Sequence, residues 1–282
     1  MNMRPSAAAL AALLAAPAFA DGHSELSGYA LIDNGMTLVT MESLAAPGDA
    51  VRHPLAARLD AIAIRPVTGA LLGFSREGRI YAVDTGTGAL TDIGASFADD
   101  AGVTGNSVAM DFNNAIDAVR MVGDAGANLV YFPEGFGDGD ERAGSVRRFT
   151  DTAYAEGDAN AGTEPLIFAN AYTNAIAGET AETTFQYALD ARSDGLVSLA
   201  NNAGTLETVG PLTVDGEPFD LVTAGGFDIV SPEEGTDMAY ALLQADGSDT
   251  SGIYSIDLAT GAATLLADLG AVGFSGFAVG AN

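Results

Sequence analysis

The chain of 282 residues has no cysteine, no tryptophan and no lysine. Without cysteine there can be no disulfide, no thiolate nucleophile and no sulfur-ligated metal. An oxidising compartment permits disulfides but does not demand them. Without lysine, Schiff-base chemistry and the lysine-bearing phosphate loop are closed. Histidine is nearly missing as well, at His23 and His53 alone. A Ser-His-Asp relay would have to use His53, and the one near-match to a nucleophile elbow, Gly273-Phe-Ser-Gly-Phe277, lacks its second glycine. Positive charge is scarce: 11 Arg face 38 Asp and Glu, for a net charge of −27. Such a surface repels nucleic-acid phosphates and anionic membranes, attracts cations and keeps a protein in solution. After residue 20 no apolar run approaches the roughly 20 residues that a membrane-spanning helix needs.

The first twenty residues are apolar for a different reason. Arg4 supplies a positive start, Ala7 to Ala16 an apolar stretch too short to span a bilayer, and Ala18-Phe-Ala20 a small-x-small cleavage site. The expectation is a signal peptide over residues 1–20, cleaved after Ala20, and a periplasmic or secreted protein. Residues 21–282 are expected to form a single domain, large enough to bury a core without staples.

A recurring phrase sets the architecture. Arg79-Ile-Tyr-Ala-Val-Asp84-Thr-Gly-Thr-Gly88 returns as Gly252-Ile-Tyr-Ser-Ile-Asp257-Leu-Ala-Thr-Gly261, each an alternating strand followed by an Asp/Thr/Gly turn. The 35 glycines are roughly twice ordinary usage, and no long helical period follows the leader. A second strand type is rich in small residues. It begins at Leu59, Ser107, Ile167, Gly225 and Phe274, and these starts lie 48, 60, 58 and 49 residues apart, near the period of propeller blades. Small residues suit an innermost strand, where blades converge. Three more strands follow each of the first four. The fifth, Phe274 to Val279, has none after it, while the N-terminal side offers three strands without an inner one: Gly28–Ile32, Thr37–Met41 and Ala50–His53. The pattern therefore predicts an all-β fold, a β-propeller of five blades closed by pairing of N- and C-terminal strands. Six blades or a β-sandwich are the alternatives.

Val108-Ala-Met-Asp-Phe-Asn-Asn114, followed by Asp117-Ala-Val-Arg120-Met-Val-Gly-Asp124-Ala-Gly-Ala-Asn128-Leu129, resembles the central signature of the secreted bacterial family called Domain of Unknown Function 4394. Ala171-Tyr172-Thr-Asn174 and the strand and turn from Ile253 to Gly261 add to the likeness, which extends roughly from Gly28 to Val279. The chain departs from the pattern at Asn114, where proline is usual, at Ala118, where a basic residue is usual, and at Phe132-Pro-Glu134, which interrupts the following hairpin. The resemblance implies a propeller-like fold and export. It implies no activity, and leaves Asp117, Arg120, Asp124, Asn128, Tyr172 and Asn174 as signature residues without a role.

Carboxylates are too abundant for any arbitrary pair to be informative, but two are positionally matched. Asp111 and Asp228 occupy equivalent places in their inner strands, a column that holds Ala63 and Ala278 elsewhere. Two acids near one channel are a candidate Ca²⁺ site; the competing reading is that each accepts backbone hydrogen bonds at a blade turn. Arg120, with Asp117 and Asp124 nearby in sequence, reads as a structural ion pair holding a hairpin, with anion binding as the alternative. Asp138-Gly-Asp-Glu141 and Asp246-Gly-Ser-Asp249 have the content of calcium loops without the EF-hand spacing. The reading that results is an exported, non-catalytic binding or scaffold protein, expected as a monomer. Its expected partners are cations, an extracytoplasmic protein or a glycan, with no nucleic acid and no membrane insertion. A divalent-metal-dependent hydrolase or lyase using Asp111 and Asp228, and a purely structural repeat domain, are the alternatives.

Overall fold

The structure, a computed structural model, describes residues 26–281. The predicted leader, its cleavage position and His23 lie outside the described residues. Among these there is no α-helix, and no helix long and apolar enough to cross a membrane.

The strands run in antiparallel meanders. β1 (Leu26–Ile32), β2 (Thr37–Met41) and β3 (Val51–Pro54) come first, followed by β4 (Ala61–Arg65), β5 (Ala70–Ser75), β6 (Arg79–Val83) and β7 (Leu90–Asp92). The two-residue β8 (Ser96–Phe97) precedes β9 (Val108–Asn113), β10 (Ala118–Gly123), β11 (Asn128–Phe132) and β12 (Ser145–Arg148). The equally short β13 (Ala153–Tyr154) precedes β14 (Ile167–Tyr172), β15 (Gln186–Asp190), β16 (Gly195–Ala200) and β17 (Thr205–Pro211). A small hairpin of β18 (Thr213–Val214) and β19 (Glu217–Pro218) leads to β20 (Leu221–Glu233), β21 (Thr236–Ala245), β22 (Ser251–Ile256), β23 (Ala262–Asp268) and finally β24 (Ser275–Ala281).

The repeated phrase owes its form to its turn. Asp84 Oδ1 accepts the N–H groups of Gly86 and Thr87 at 3.1 and 2.9 Å, and Gly88 takes φ +74°. In the second copy Asp257 Oδ1 accepts from Ala259 at 2.8 Å, and Gly261 takes φ +80°. A short carboxylate bonding the backbone two residues on, then a glycine in the left-handed region, folds the chain back between β6 and β7 and between β22 and β23.

The strands form four sheets, of four, five, five and ten members, where a sandwich would have two. In the ten-stranded sheet the order β24-β1-β2-β3 joins the two ends of the chain: β24 pairs antiparallel with β1, from Leu26 opposite Ala281 to Leu31 opposite Ser275. The sheet's other half, β20 to β23, touches β24 through one parallel pair, Gly225 with Ser275. Gly225 lies at φ +111°, where a side chain would collide with the Leu242 carbonyl, and a Cβ on Gly226 would sit 2.5 Å from the Phe277 nitrogen. Two glycines let these inner strands meet.

Sheet faces pack on sheet faces. One core joins β4–β6 to β9–β12 through Phe74, Ile80, Met110, Phe112, Met121 and Tyr131. Another joins β10 to β14–β17 through Val122, Ile167, Val197 and Leu206. A third lies between β14–β16 and β20–β23, around Leu189, Leu196, Phe227 and Leu243. A fourth runs from Tyr240, Leu242 and Ile253 to Ala30, Val39 and Phe277. The last returns from Leu31, Leu38 and Ala278 to Ile62, Leu71 and Val83. Because such sheets are covered on both faces, β10 and β11 are buried at every position instead of alternating.

The predicted strands are all present, several with shifted ends. Leu59 and Asp60 precede β4, and Ser107 precedes β9. β20 extends to Glu233, beyond the break read at Ser231-Pro232, because the proline sits in a register irregularity between Val230 and Glu233, after which pairing resumes with Thr236. The short strands β8, β13 and β18 were not foreseen. Each pairs in parallel with the outermost strand of the following meander, β12, β17 and β23 respectively, and so ties one unit to the next.

Candidate functional site

Strands β4, β9, β14, β20 and β24 each contact the next in that order, and β24 contacts β4 in turn. Their axis-facing edges carry backbone N–H groups that need acceptors. Asp111 on β9 supplies one: its Oδ2 accepts the Tyr172 N–H of β14 at 2.6 Å. Asp228 on β20 repeats the device, Oδ2 accepting the Val279 N–H of β24 at 2.6 Å while Oδ1 accepts from Ile229 at 2.7 Å. Each carboxylate therefore reaches one inner strand onward, and the backbone partner lies across a strand gap instead of in a turn. Ala63 and Ala278 fill the same column elsewhere.

Both acids are buried, and both hold their protons unusually tightly. Burial pushes Asp111 well above the ordinary carboxylate range, repulsion from Asp228 pushes it further, and the Tyr172 N–H pulls back. Burial raises Asp228 to about 7 against the opposing N–H groups of Val279 and Ile229. The two face one cavity of about 570 Å³ at the end of the axis, with Tyr29, Ile64, Ile176, Glu179 and Met238 also on its wall. Further along the same inner strands a much smaller space of about 10 Å³ lies among Ile62, Met110, Phe168, Asn170 and Phe277. The opposite end holds a smaller hollow of about 140 Å³ beside Arg58, Asp60, Asn106 and Thr223.

A strap of residues 173–185, linking β14 to β15, lines the cavity through Ala175, Ile176, Ala177 and Glu179. Gly178 N–H donates to the Pro66 carbonyl at 3.0 Å, Ala181 N–H to Asn114 at 3.3 Å, and Ser231 N–H to Ala175 at 3.2 Å. Asn114 Nδ2 donates to the carbonyls of Asn174 and Glu179 at 2.8 and 3.1 Å. Glu234 closes the far side, accepting from Asn174 Nδ2, the Glu182 N–H and the Thr183 N–H at 2.9, 3.1 and 3.2 Å. Asn174, at φ +59°, is the residue on which the strap turns away from β14. Strap residues Ala175, Ile176 and Glu179 were not anticipated as part of a site. The available signal was a stretch without alternation between two strand patterns, longer than the connections after β4, β9 and β20.

The other signature residues are placed elsewhere, and the expected ion pair of Arg120 with Asp117 or Asp124 is not formed. Asp117 pairs with Arg65, whose Nε donates at 2.7 Å, and Asp124 accepts the Asn106 N–H at 3.0 and 3.1 Å. Along a strand, three or four residues are roughly 10–13 Å of travel, so neighbours that would meet on a helix do not meet here. Arg120 instead donates to Tyr172 Oη at 2.7 Å, to Asn202 Oδ1 at 2.8 Å and to Asn128 Oδ1. Asn128 Nδ2 donates onward to the carbonyls of Thr150 and Asn201 at 2.9 and 3.0 Å, and Tyr172 Oη to Asn201 Oδ1 at 2.7 Å. This knot riveting β10 to β14 has no carboxylate in it.

Calcium chemistry is not assembled around the acids. Among the described residues no group of three or more His, Asp or Glu is placed to hold a metal ion. Asp111 and Asp228, each already bonded to backbone N–H, fall short of the six to eight oxygens Ca²⁺ takes. In the loop at Asp138–Glu141, Asp140 accepts from Arg142 Nε and Nη2 at 2.9 and 2.6 Å, and that guanidinium lowers its carboxyl to about 2. His53 lies on β3 with Nε2 3.2 Å from Thr40 Oγ1 and is not on the cavity wall.

Residues 50–278 match the family described as Domain of unknown function (DUF4394). The chain belongs to this family. Among curated proteins, none matches it. Solved structures similar to this DUF4394 chain include an auxiliary nutrient binding protein from Bacteroides ovatus, 14% identical with a TM-score of 0.43, covering 76% of this chain and 55% of that one. A protein of unknown function from Bacteroides thetaiotaomicron is 13% identical with a TM-score of 0.40, covering 84% and 63%. Hydrazine synthase of Kuenenia stuttgartiensis is 11% identical with a TM-score of 0.36, covering 76% and 49%. The chain thus spans between about half and under two thirds of these structures' own lengths.

Proposed function

We propose that this DUF4394 protein is an exported, non-catalytic binding protein, built as a five-bladed propeller, that holds a small ligand in the cavity lined by Asp111 and Asp228 at one end of its axis. The observation that carries the reading is the cavity itself. Its volume of about 570 Å³ falls within the range of small-molecule pockets, and it combines apolar walls with a few convergent polar groups. The five-blade reading is supported by the pairing of β24 with β1 and by cores that follow one another around the chain until the last returns to β4 and β5. Export is supported by the leader-like residues 1–20. The non-catalytic part is supported by the chemistry at the cavity: each acid is bonded to a neighbouring strand's backbone, and His53 is elsewhere.

The test is to fill the cavity from the strap. Ala175→Trp places an indole at the mouth with little change to the sheets. Ligands retained by the purified protein, read by native mass spectrometry, or found by thermal-shift screening, are expected to bind wild type and not Ala175→Trp. Ligands that stabilise both proteins equally lie outside the cavity, and that result overturns the assignment.

A further inference from the structure

We propose that the axial cavity takes a small organic cation, its ammonium group against Asp111 and Asp228 and its apolar body against Ile64, Ile176 and Met238. This rests on the cavity being a binding site and names the class of ligand it admits.

The wall decides the charge. Its ionisable acidic side chains are three carboxyls, Asp111, Asp228 and Glu179 on the strap, and it carries no Arg or His. The nearest candidate counterions are engaged elsewhere. Arg120 stands directly opposite Asp111 across β9 and β10, yet its guanidinium turns into Tyr172, Asn128 and Asn202. Arg65 is held by Asp117. Backbone N–H groups stabilise Asp111 and Asp228 but bring no net charge. Burial of both acids, and for Asp111 the field of Asp228, favours their protonated forms, and a cation beside them stabilises the ionised carboxylates by offsetting desolvation and repulsion together. A neutral ligand gives the carboxylates no such stabilisation, and an anion opposes their ionisation.

The same wall favours an organic cation over a metal ion. The cavity is far larger than one ion needs, and its remaining surface is mostly hydrocarbon, with Leu26, Ile64, Ile176 and Met238 on the wall. A divalent ion there would lack oxygen ligands on most sides. An ammonium head on an apolar body satisfies the acids and the hydrocarbon at once. The strongly acidic surface would draw such a ligand toward the mouth.

The test compares 2-phenylethylammonium with its neutral isostere 2-phenylethanol, and with CaCl₂ alone, by calorimetry on the purified protein at constant ionic strength. The expected result is that the ammonium binds at least roughly tenfold more tightly than the alcohol, and that Asp111→Asn/Asp228→Asn erases this preference. The amide oxygens of that variant still accept the Tyr172 and Val279 N–H groups, and its melting curve checks the fold. The wild-type ratio needs no variant at all. Equal or tighter binding of the alcohol overturns the cation assignment and leaves the cavity a binding site. Ca²⁺ binding that exceeds the ammonium's and disappears in the variant overturns it in favour of a metal. If neither organic probe binds at millimolar concentration, both this inference and the binding reading fall.

Discussion

Asp111 and Arg120 face one another across the β9–β10 ladder, each 4% exposed, and both touch Tyr172. Opposite charges in that position ordinarily pair. Here the arginine donates outward to Tyr172 Oη and two asparagines, while the aspartate turns toward the axis and takes the Tyr172 N–H. The arginine's neighbours are neutral oxygens that answer it on every nitrogen, so it is finished as a rivet. The aspartate is backed by N–H dipoles and another acid, and opens onto a cavity. Depth of burial is the same; what separates structure from candidate function is whether the charge has been answered from within.

The largest expected effect breaks the rivet. Arg120→Ala leaves Tyr172 Oη, Asn128 and Asn202 without their donor inside the fold and is expected to lower stability by on the order of 3 kcal/mol in urea unfolding. Arg120→Lys should recover less than half of that, because one ammonium does not reproduce a planar fork to three acceptors.

Next comes the aspartate side, where the opposite is expected at neutral pH. In the unfolded chain a carboxyl ionises near pH 4, whereas folded Asp228 keeps its proton up to about 7. The folded state therefore binds the extra proton, so this group's stabilisation is complete below about pH 4 and is lost as pH rises through about 7. Asp228→Asn should remove that slope, gaining on wild type by on the order of 2–3 kcal/mol between pH 5 and pH 7. Urea midpoints across that range read the difference directly, and a flat difference would mean that Asp228 is ionised throughout.

Glu234→Ala sharpens the contrast from the strap. It removes the acceptor of Asn174 Nδ2 and of the Glu182 and Thr183 N–H groups, at an expected loss of about 1–2 kcal/mol. Hydrogen exchange should quicken at Glu182 and Thr183 and stay unchanged at Tyr172, whose N–H is held by Asp111. The smallest effect is expected at Arg79, whose exposed pair with Asp92 lies on the outer strands β6 and β7. Arg79→Gln should leave the unfolding midpoint where it was, since such pairs contribute little.

Much of this architecture was legible residue by residue. The Asp/Thr/Gly turns at Asp84 and Asp257 carry their own geometry, because a carboxylate that bonds the next backbone N–H groups and a glycine at positive φ act within five residues. The inner strands stood out by small side chains and regular spacing, and the matched positions of Asp111 and Asp228 followed from aligning them. Partners were harder to see. Arg120 was set beside Asp117 and Asp124 because they are near in sequence, while its true acceptors lie up to 82 residues away. The strap lining the cavity had no periodic signature, and two-residue strands such as β8 and β13 are shorter than any alternation that could announce them.

Local chemistry, then, is what the amino-acid order determined: which segments are strands, where they turn, and which two acids hold equivalent places. Those properties depend on side-chain size, φ preference and contacts a few residues long. Bringing the two acids to one cavity, turning Arg120 away from Asp111, and carrying residues 175–179 onto the cavity wall were decided only when distant strands packed together. Desolvation and mutual repulsion exist only between groups that folding has placed together, so the character of Asp111 and Asp228 belongs to the tertiary structure and not to either residue alone.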